Sequence, residues 1–411
     1  MSVNLDDITS LARDIGPRLP GTGKERRAAH YVMQRMRDLG IAAGLLPVKT
    51  APSFIPIYFS IFAIISVAVP LVAVSRFLGL LISVFGGGLL VLELINRPLL
   101  SGLFATRRSH NVLGIIPAAV NDEIGEPARR VVLTAHIDTG RGGLLWHRGL
   151  LRSFRVVVLV VLGCALAVPI VLLAYTIRQT AAIWIIAWIL MAILLLVAIL
   201  MAESEWRGAP LAGANDNASG IAVLLAIASA LRQSHLTHVE TWFLFTTGEE
   251  AGLVGMNRFL DQNTFNPNST YFVTVDHVGS GQIHFTRGEG LIRSRRSSAP
   301  LVRLISDIAS HHPEWKVTSE VHRLLPTDQY AALSAGYQAV TILGLDENFV
   351  LPHWHQSTDT QDRVSPETMQ IAADLTLALV RRLDLEVRDR GGVNGTLVPT
   401  PEPDIGEPTR P

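Results

Sequence analysis

The sequence predicts an α/β protein, a three-layer sandwich around a mostly parallel mixed sheet, with two apolar helical hairpins inserted into it. Short β-type runs alternate with helical segments in the second half of the chain, a pattern typical of such sandwiches. Several of these runs lead directly to a His, Asp or Glu, and functional residues of open α/β sheets gather at strand ends. Two long apolar blocks predict the hairpins.

The amino-acid composition limits the classes of function that the protein can have. The 411 residues are 49% hydrophobic, which is high for a purely soluble enzyme. The 35 basic residues equal the 35 acidic residues, and no long basic run indicates a nucleic-acid partner. The single cysteine, Cys164, excludes an internal disulfide and zinc sites made of several thiolates. The first fifty residues lack the pattern of a cleaved signal peptide.

The elements of the sandwich follow in chain order. Helical spacing predicts a helix over residues 26–39, and β-type runs follow at 111–116 and 131–135. After the second apolar block, the pattern predicts further helices and β runs. These are a helix over 218–231, a β run over 240–247, a helix after Gly252, β runs at 271–275 and 339–345, and helices near Leu301 and Ser365.

The apolar blocks cover residues 54–92, broken by Arg76, and residues 156–202, broken by Arg178 and Gln179. Each is long enough for two spans of roughly 20 residues, so we predict four transmembrane helices and a multi-pass membrane protein whose partner is the lipid bilayer. For the first block a re-entrant segment remains the alternative, since Gly86, Gly87 and Gly88 lie in mid-span.

Paired spans leave all polar segments on one side of the membrane, where they can fold together. Arginines flank the spans on that side, so the positive-inside rule predicts that the domain formed by the polar segments is cytoplasmic. The predicted organisation is segments of this one domain at 1–53, 98–154 and 204–388, transmembrane hairpins at 54–97 and 155–203, and a disordered tail at 389–411.

His136 and Asp138 follow one β run, and the pair predicts a metal ligand with a supporting carboxylate that fixes the tautomer of the histidine ring. Asp216 stands before a helix, where it can bridge two cations or serve as an ordinary helix cap. Each of these signals is weak alone. Histidine and carboxylate side chains together are the ligands of a zinc site.

Glu249 and Glu250 are adjacent carboxylates at the end of an apolar run, and their mutual repulsion calls for a nearby cation or proton. We predict Glu249 as general base and Glu250 as metal ligand, a division that metal-assisted hydrolysis requires. Asp276 ends the next run and is predicted to bind the second metal, although it could merely end a strand.

The remaining ligand must come from the segment LPHWHQSTDT, which offers His353 and His355. Asp328, before a predicted helix, is either a cap or a residue that supports the site or the substrate amine. We interpret His277 as a structural or surface residue.

In this order, the motifs AHIDT, NDNASG, GEEAGLVG, TVDHVG and HQSTD resemble those of the clan MH zinc peptidases, which include bacterial leucyl aminopeptidase, aminopeptidase Y and glutamate carboxypeptidase II. GPRLPGTGKERRAAHYV and TDQYAALSAGYQAV extend the resemblance over nearly all of the polar sequence. The inserted hairpins depart from it, because typical soluble relatives lack them.

The resemblance implies a zinc aminopeptidase-like fold and a two-zinc exopeptidase, most simply an aminopeptidase acting on peptides. By resemblance, His136 and Asp276 hold one zinc ion, Glu250 and His355 hold the other, and Asp216 bridges them. Glu249 is then the general base. The spacing to Asp359 favours His355 over His353.

Two other functions compete with the peptidase. Glutaminyl cyclases of the same fold have a Trp–His element, which the Trp354–His355 pair resembles. They work without the His-x-Asp ligand. A non-catalytic membrane scaffold or chaperone, as in nicalin-type relatives, has lost the metal ligands that this chain keeps.

Overall fold

The structure is a computed structural model that describes residues 1–94, 100–120 and 127–391. Its centre is a nine-stranded sheet. The strands are β1 (Ala43–Thr50), β2 (Arg107–Ile116), β3 (Arg129–His136), β4 (Val239–Thr246), β5 (Thr270–Asp276), β6 (Gln282–Glu289), β7 (Arg295–Arg296), β8 (Thr318–His322) and β9 (Gln338–Leu345).

The sheet is mixed. Its order is β1-β2-β4-β3-β5-β9-β6-β7, with β8 paired to β6. The four central strands β4, β3, β5 and β9 run parallel, but β1, β2 and β7 pair antiparallel with their neighbours, as do β6 and β9. Parallel pairing needs a long crossover, usually a helix, which the central strands have between them. The expected parallel character therefore holds for the centre of the sheet, whereas its flanks are largely antiparallel, apart from the parallel pair β6 and β8.

Thirteen α-helices of the described residues either cover the two faces of the sheet or form a separate bundle. They are α1 (Leu5–Ile8), α2 (Gly23–Asp38), α3 (Ile55–Val74), α4 (Arg76–Leu94), α5 (Leu100–Phe104), α6 (Arg148–Leu151), α7 (Phe154–Ile177), α8 (Ala181–Arg207), α9 (Ser219–Gln233), α10 (Val254–Gln262), α11 (Ala299–His311), α12 (Asp328–Ser334) and α13 (Pro366–Gly391).

Strand β3 shows how the layers form. Val131, Leu133 and Ala135 point into one core, together with residues of α2, α9, α11 and α13, whereas Val132 points into a second core with residues of α10 and α12. This alternation follows the two-residue period of a strand. The predicted three-layer sandwich is the observed arrangement, and similar solved structures share it.

Helices α3, α4, α7 and α8 form a separate bundle with an apolar core of its own. Helices α3 and α4 meet at Ser75, and α7 and α8 meet at residues 178–180, so the bundle consists of two hairpins. The second hairpin interrupts the chain between β3 and α9. At 1.5 Å per residue, the 24 residues of α7 extend about 36 Å.

Five helices of the described residues are long and apolar enough to cross a membrane. Four are the bundle helices. The fifth, Ala214–Gln233, includes α9 and is 89% buried inside the sandwich, where it covers the sheet. The predicted disordered tail at 389–411 lies outside the described residues, apart from 389–391, which continue α13.

Candidate metal centre

Three neighbouring parallel strands bring acidic and imidazole side chains to one edge of the sheet. Strand β3 ends at His136, β5 ends at Asp276, and Glu249 and Glu250 follow three and four residues after the end of β4 at Thr246. Because these strands are parallel and adjacent, their carboxyl ends meet at the same edge. The residues separated by more than a hundred positions therefore share one site.

The first cluster consists of His136, Asp216 and Asp276, all buried. The Nε2 atom of His136 lies 3.1 Å from Oδ1 of Asp216 and 3.4 Å from Oδ1 of Asp276. The other ring nitrogen, Nδ1, donates a hydrogen bond to the backbone carbonyl of Asp138 at 3.0 Å. That bond fixes the tautomer that leaves Nε2 free to bind a metal.

The second cluster consists of Asp216, Glu250 and His355, also buried. Nε2 of His355 lies 3.0 Å from Oε1 of Glu250 and 3.7 Å from Oδ2 of Asp216. Asp216 thus belongs to both clusters and presents one oxygen to each. Within each cluster the ligand atoms lie within 4.8 Å of one another.

The two clusters fit zinc ions. Oδ1 of Asp216 is buried and has no hydrogen-bond partner among the described residues. Burial lowers the pKa of His136, but the surrounding carboxylates, Asp276 first, raise it well above its usual value. The cluster thus attracts positive charge, and each one offers the nitrogen and oxygen donors that zinc prefers.

The loop that carries Asp216 is held from several sides. The Asp359 carboxylate accepts hydrogen bonds from the backbone N–H groups of Asn215 at 2.6 Å and Asp216 at 3.1 Å. Gly213 has a φ of 63°, and a Cβ there would lie 2.3 Å from the backbone oxygen of Asp216. A side chain at this position would therefore displace the loop.

The pKa values of Glu249 and Asp276 shift in opposite directions. Burial raises the pKa of Glu249 well above its usual range, and the negative charges of Glu250 and Asp276 raise it further. Burial also raises the pKa of Asp276, but the His277 and His136 rings outweigh this effect and lower it. A raised pKa on Glu249 and a lowered pKa on Asp276 suit a proton-transfer group beside a metal ligand.

Asp138 differs from the expectation. Its carboxylate oxygen lies 3.9 Å from Nδ1 of His136, too far for a hydrogen bond. Instead, the carboxylate accepts hydrogen bonds from the backbone N–H groups of Glu249 at 3.2 Å and Glu250 at 3.0 Å. Asp138 therefore orients the two glutamates, while its backbone carbonyl orients the histidine.

His277 belongs to the site, although its sequence position gave it a structural interpretation. Its Nδ1 atom lies 2.9 Å from Oδ1 of Asp276, and its Nε2 atom lies 3.2 Å from Oδ2 of Asp216. Direct adjacency to a strand-ending aspartate was the available signal. The left-handed backbone of His277, with a φ of 51°, turns its side chain back toward its neighbour and has no sequence signature.

The two remaining candidates, Asp328 and His353, belong to neither cluster. Asp328 is buried, accepts a hydrogen bond from Thr246 at 2.6 Å, and leaves Oδ1 without a partner among the described residues. Burial raises its pKa to about 7. His353 is half-buried, and its Nδ1 atom contacts the Thr358 hydroxyl at 2.9 Å, outside both clusters.

The model of peptidase family M28 matches residues 199–380. This segment is therefore similar to peptidase family M28. It contains Asp216, Glu249, Glu250, Asp276 and His355, whereas His136 precedes it. The M28 match confirms the resemblance to zinc metallopeptidases and supports a zinc-dependent metallopeptidase.

Solved structures with the same fold cover nearly the whole chain. A zinc aminopeptidase from Bacillus subtilis has a TM-score of 0.54 at 15% identity, with 92% of this chain and 93% of that chain covered. A glutaminyl cyclase from Tannerella forsythia has a TM-score of 0.52 at 15% identity, with 93% and 99% covered. A leucine aminopeptidase precursor from Bacteroides thetaiotaomicron has a TM-score of 0.52 at 15% identity, with 93% and 98% covered. At these identities the likeness shows the shared fold.

Proposed function

We propose that the chain is a membrane-embedded di-zinc exopeptidase, specifically an aminopeptidase that removes N-terminal residues from peptides. The observation that carries the proposal is the pair of buried clusters that share Asp216, with Glu249 beside Glu250. Zinc, when bound, supplies a Lewis acid that polarises the substrate carbonyl and makes water a stronger nucleophile at neutral pH.

The residues of the chain divide the remaining work. His136, Asp276, Glu250 and His355 would hold the ions, and Asp216 would bridge them. Glu249 would accept the proton of the attacking water and pass it to the leaving amine, a role for which a raised pKa is suited. Asp138 fixes the backbone of Glu249, and so keeps the base in place.

The membrane part of the proposal rests on the helical bundle. Its outer surface exposes large apolar side chains, among them Val74, Phe77 and Ile177, which are 84%, 77% and 73% exposed. An apolar surface of this extent is typical of contact with lipid. The arginines that flank the hairpins support a cytoplasmic catalytic domain, in line with the positive-inside rule. Protease accessibility in sealed, oriented vesicles tests this side assignment.

A glutaminyl cyclase is the second candidate, because solved cyclases share the fold and Trp354 precedes His355. His136 argues for the peptidase, since it completes a first cluster that a single-zinc cyclase does not need. A non-catalytic scaffold is disfavoured by the complete set of ligands.

The detergent-purified full chain can decide among these functions. We expect two zinc ions per chain, hydrolysis of leucyl-p-nitroanilide, and no ammonia release from a glutaminyl peptide. His355→Ala should lose one zinc ion and activity, whereas the control His353→Ala should keep both. Ammonia release without nitroaniline would support the cyclase, and a metal-free, inactive and folded wild type would support the scaffold.

A further inference from the structure

A small cavity of about 20 Å³ joins the second metal cluster to the bases of the two hairpins. Glu250 and His355 of the second cluster line one side of it. Phe54, Trp146 and Glu205 line another side, and Arg141 also borders it. Phe54 immediately precedes α3, Trp146 lies between β3 and α7, and Glu205 lies in the last turn of α8. The hairpins thus form part of the wall of the metal centre.

Polar and aromatic contacts fix this wall. The Ser53 hydroxyl donates a hydrogen bond to the Glu205 carboxylate at 2.7 Å, which connects the base of the first hairpin to the end of the second. The Trp146 ring packs edge-on against the metal-ligand candidate His355, with ring centroids 4.1 Å apart, and also contacts Phe54 at 6.2 Å. The hairpin bases and the second cluster are therefore one packed unit.

Among the described residues that line the cavity, Glu205 is the carboxylate that belongs to neither metal cluster. It lies at the C-terminal end of α8, where the partial negative charge of the helix dipole adds to its own charge. Arg141 is held by a hydrogen bond to the Gly208 carbonyl at 3.1 Å, and no ion pair joins it to Glu205 in the described structure. The wall therefore combines a negative charge that has no cationic partner with aromatic surface.

The indole N–H of Trp146 adds a further unmet hydrogen-bonding group. Trp146 is 1% exposed, and its Nε1 atom has no acceptor among the described residues. A buried donor without a partner costs free energy unless a bound molecule or water satisfies it. A ligand with a cationic end and a carbonyl oxygen fits this combination of carboxylate and indole N–H.

We propose that Glu205 binds the α-ammonium group of the substrate, with Phe54 and Trp146 as the apolar wall beside its first residue. The assignment rests on the proposed exopeptidase function and goes beyond it in two respects. It names the residue that recognises the free amino terminus, and it makes the inserted second hairpin a part of the substrate site.

The test compares two substrates in the full, zinc-loaded chain: leucyl-aminomethylcoumarin and its des-amino analogue, 4-methylpentanoyl-aminomethylcoumarin. Glu205→Gln should lower kcat/KM for the leucyl substrate by roughly tenfold to a hundredfold, mainly through KM, because a charged hydrogen bond is lost. It should leave kcat/KM for the des-amino substrate unchanged. The preference for the amine would then fall.

Glu203→Gln is the matched control. Glu203 lies two residues earlier on α8 and accepts a hydrogen bond from the Leu144 N–H at 2.9 Å, outside the cavity wall. It should keep the wild-type preference. Glu205→Asp keeps the charge and should restore part of the preference for the amine. It also serves as the second variant if Glu205→Gln fails to retain zinc.

Two failures are distinguishable. An equal loss of activity on both substrates, or an unchanged preference in both Glu205 variants, would overturn the assignment while the exopeptidase stands. A wild type that hydrolyses neither substrate, with zinc bound, would overturn the proposed aminopeptidase itself.

Discussion

The carboxylate of Asp138 accepts a hydrogen bond from the backbone N–H of Glu250 at 3.0 Å. Its second oxygen accepts one from the N–H of Glu249 at 3.2 Å. One buried side chain thus sets the position of both the proposed base and a proposed zinc ligand. Burial raises the pKa of Asp138 to about 6, and the two N–H donors lower it in part.

We predict that Asp138→Asn impairs catalysis more than folding. The amide keeps one acceptor oxygen but turns an N–H₂ group toward a backbone donor, so one of the glutamates moves. Losses of the order of 10–100-fold are typical when such supporting groups are removed. We expect kcat/KM to fall by about this factor, with a circular dichroism spectrum like that of wild type. Unchanged kcat/KM would show that Asp138 does not position the glutamates.

Gly140 allows the backbone to pass close to the second cluster. A Cβ there would lie 2.7 Å from Nε2 of His355 and 2.8 Å from Oε1 of Glu250. We therefore expect Gly140→Ala to displace both ligands and to lower the zinc content toward one ion per chain. Metal analysis after dialysis measures this.

Gly142→Ala is the control for that prediction. A Cβ at Gly142 has ordinary contacts, the shortest being 3.4 Å to the His355 carbonyl oxygen. It should retain both zinc ions. Equal zinc contents in the two variants would argue against a metal at the second cluster.

Arg18 connects three segments of the chain beneath the site. Its fully buried guanidinium donates hydrogen bonds to the backbone carbonyls of Leu11, Ile137, Ala212 and Gly213. Ile137 follows the ligand His136, and Ala212 and Gly213 precede Asp216. Arg18 therefore fastens the two ends of the segment that contains the second hairpin.

We predict that Arg18→Met lowers the stability of the domain by about 3 kcal/mol or more, since buried carbonyls lose their donors. This corresponds to a Tm decrease of roughly 6–12 °C. Arg13→Met is the control, because Arg13 is exposed and pairs only with its neighbour Asp14 at 3.0 Å. Similar Tm values for Arg18→Met and Arg13→Met would contradict the role given to Arg18.

Glu289 makes stability depend on pH. It is buried and accepts hydrogen bonds from the Thr327 N–H, the Thr327 hydroxyl and the Thr341 hydroxyl. Burial raises its pKa from 4.5 to about 8. An acid with a raised folded-state pKa contributes stability below its unfolded-state pKa, and this contribution is lost as the pH rises through about 8.

Glu289→Gln removes that ionisation. We expect its Tm relative to wild type to increase by several degrees between pH 5.5 and pH 8.5, at roughly 2–4 °C per kcal/mol. Differential scanning fluorimetry of both proteins in the same detergent measures the difference. A difference in Tm that stays constant across this range would show that Glu289 does not titrate in the folded protein.

The sequence predicted most residues of the candidate metal centre because these residues stand at strand ends, where local patterns are readable. His136, Glu250 and Asp276 each follow an apolar run, and parallel strands bring those ends together. A mixed sheet was predicted, but not which of its strands run antiparallel, since an apolar run carries no signal for the direction of its partner.

Contacts between distant segments were also not predictable. The Asp138 carboxylate reaches across 112 positions to the Glu250 N–H, and the Glu205 carboxylate lies 152 positions from Ser53. No spacing or periodicity encodes such pairs. The role of Arg18 and the contribution of the hairpin bases to the cavity depend on contacts of the same kind.

The most direct test of the di-zinc peptidase is Glu249→Gln in the detergent-purified full chain, with zinc content and leucyl-p-nitroanilide hydrolysis measured on the same sample. General bases contribute about 10²–10⁴-fold to rate, so we expect kcat to fall by that factor or more while two zinc ions remain bound. Retention of wild-type kcat, or a wild type that binds no zinc, would contradict the account.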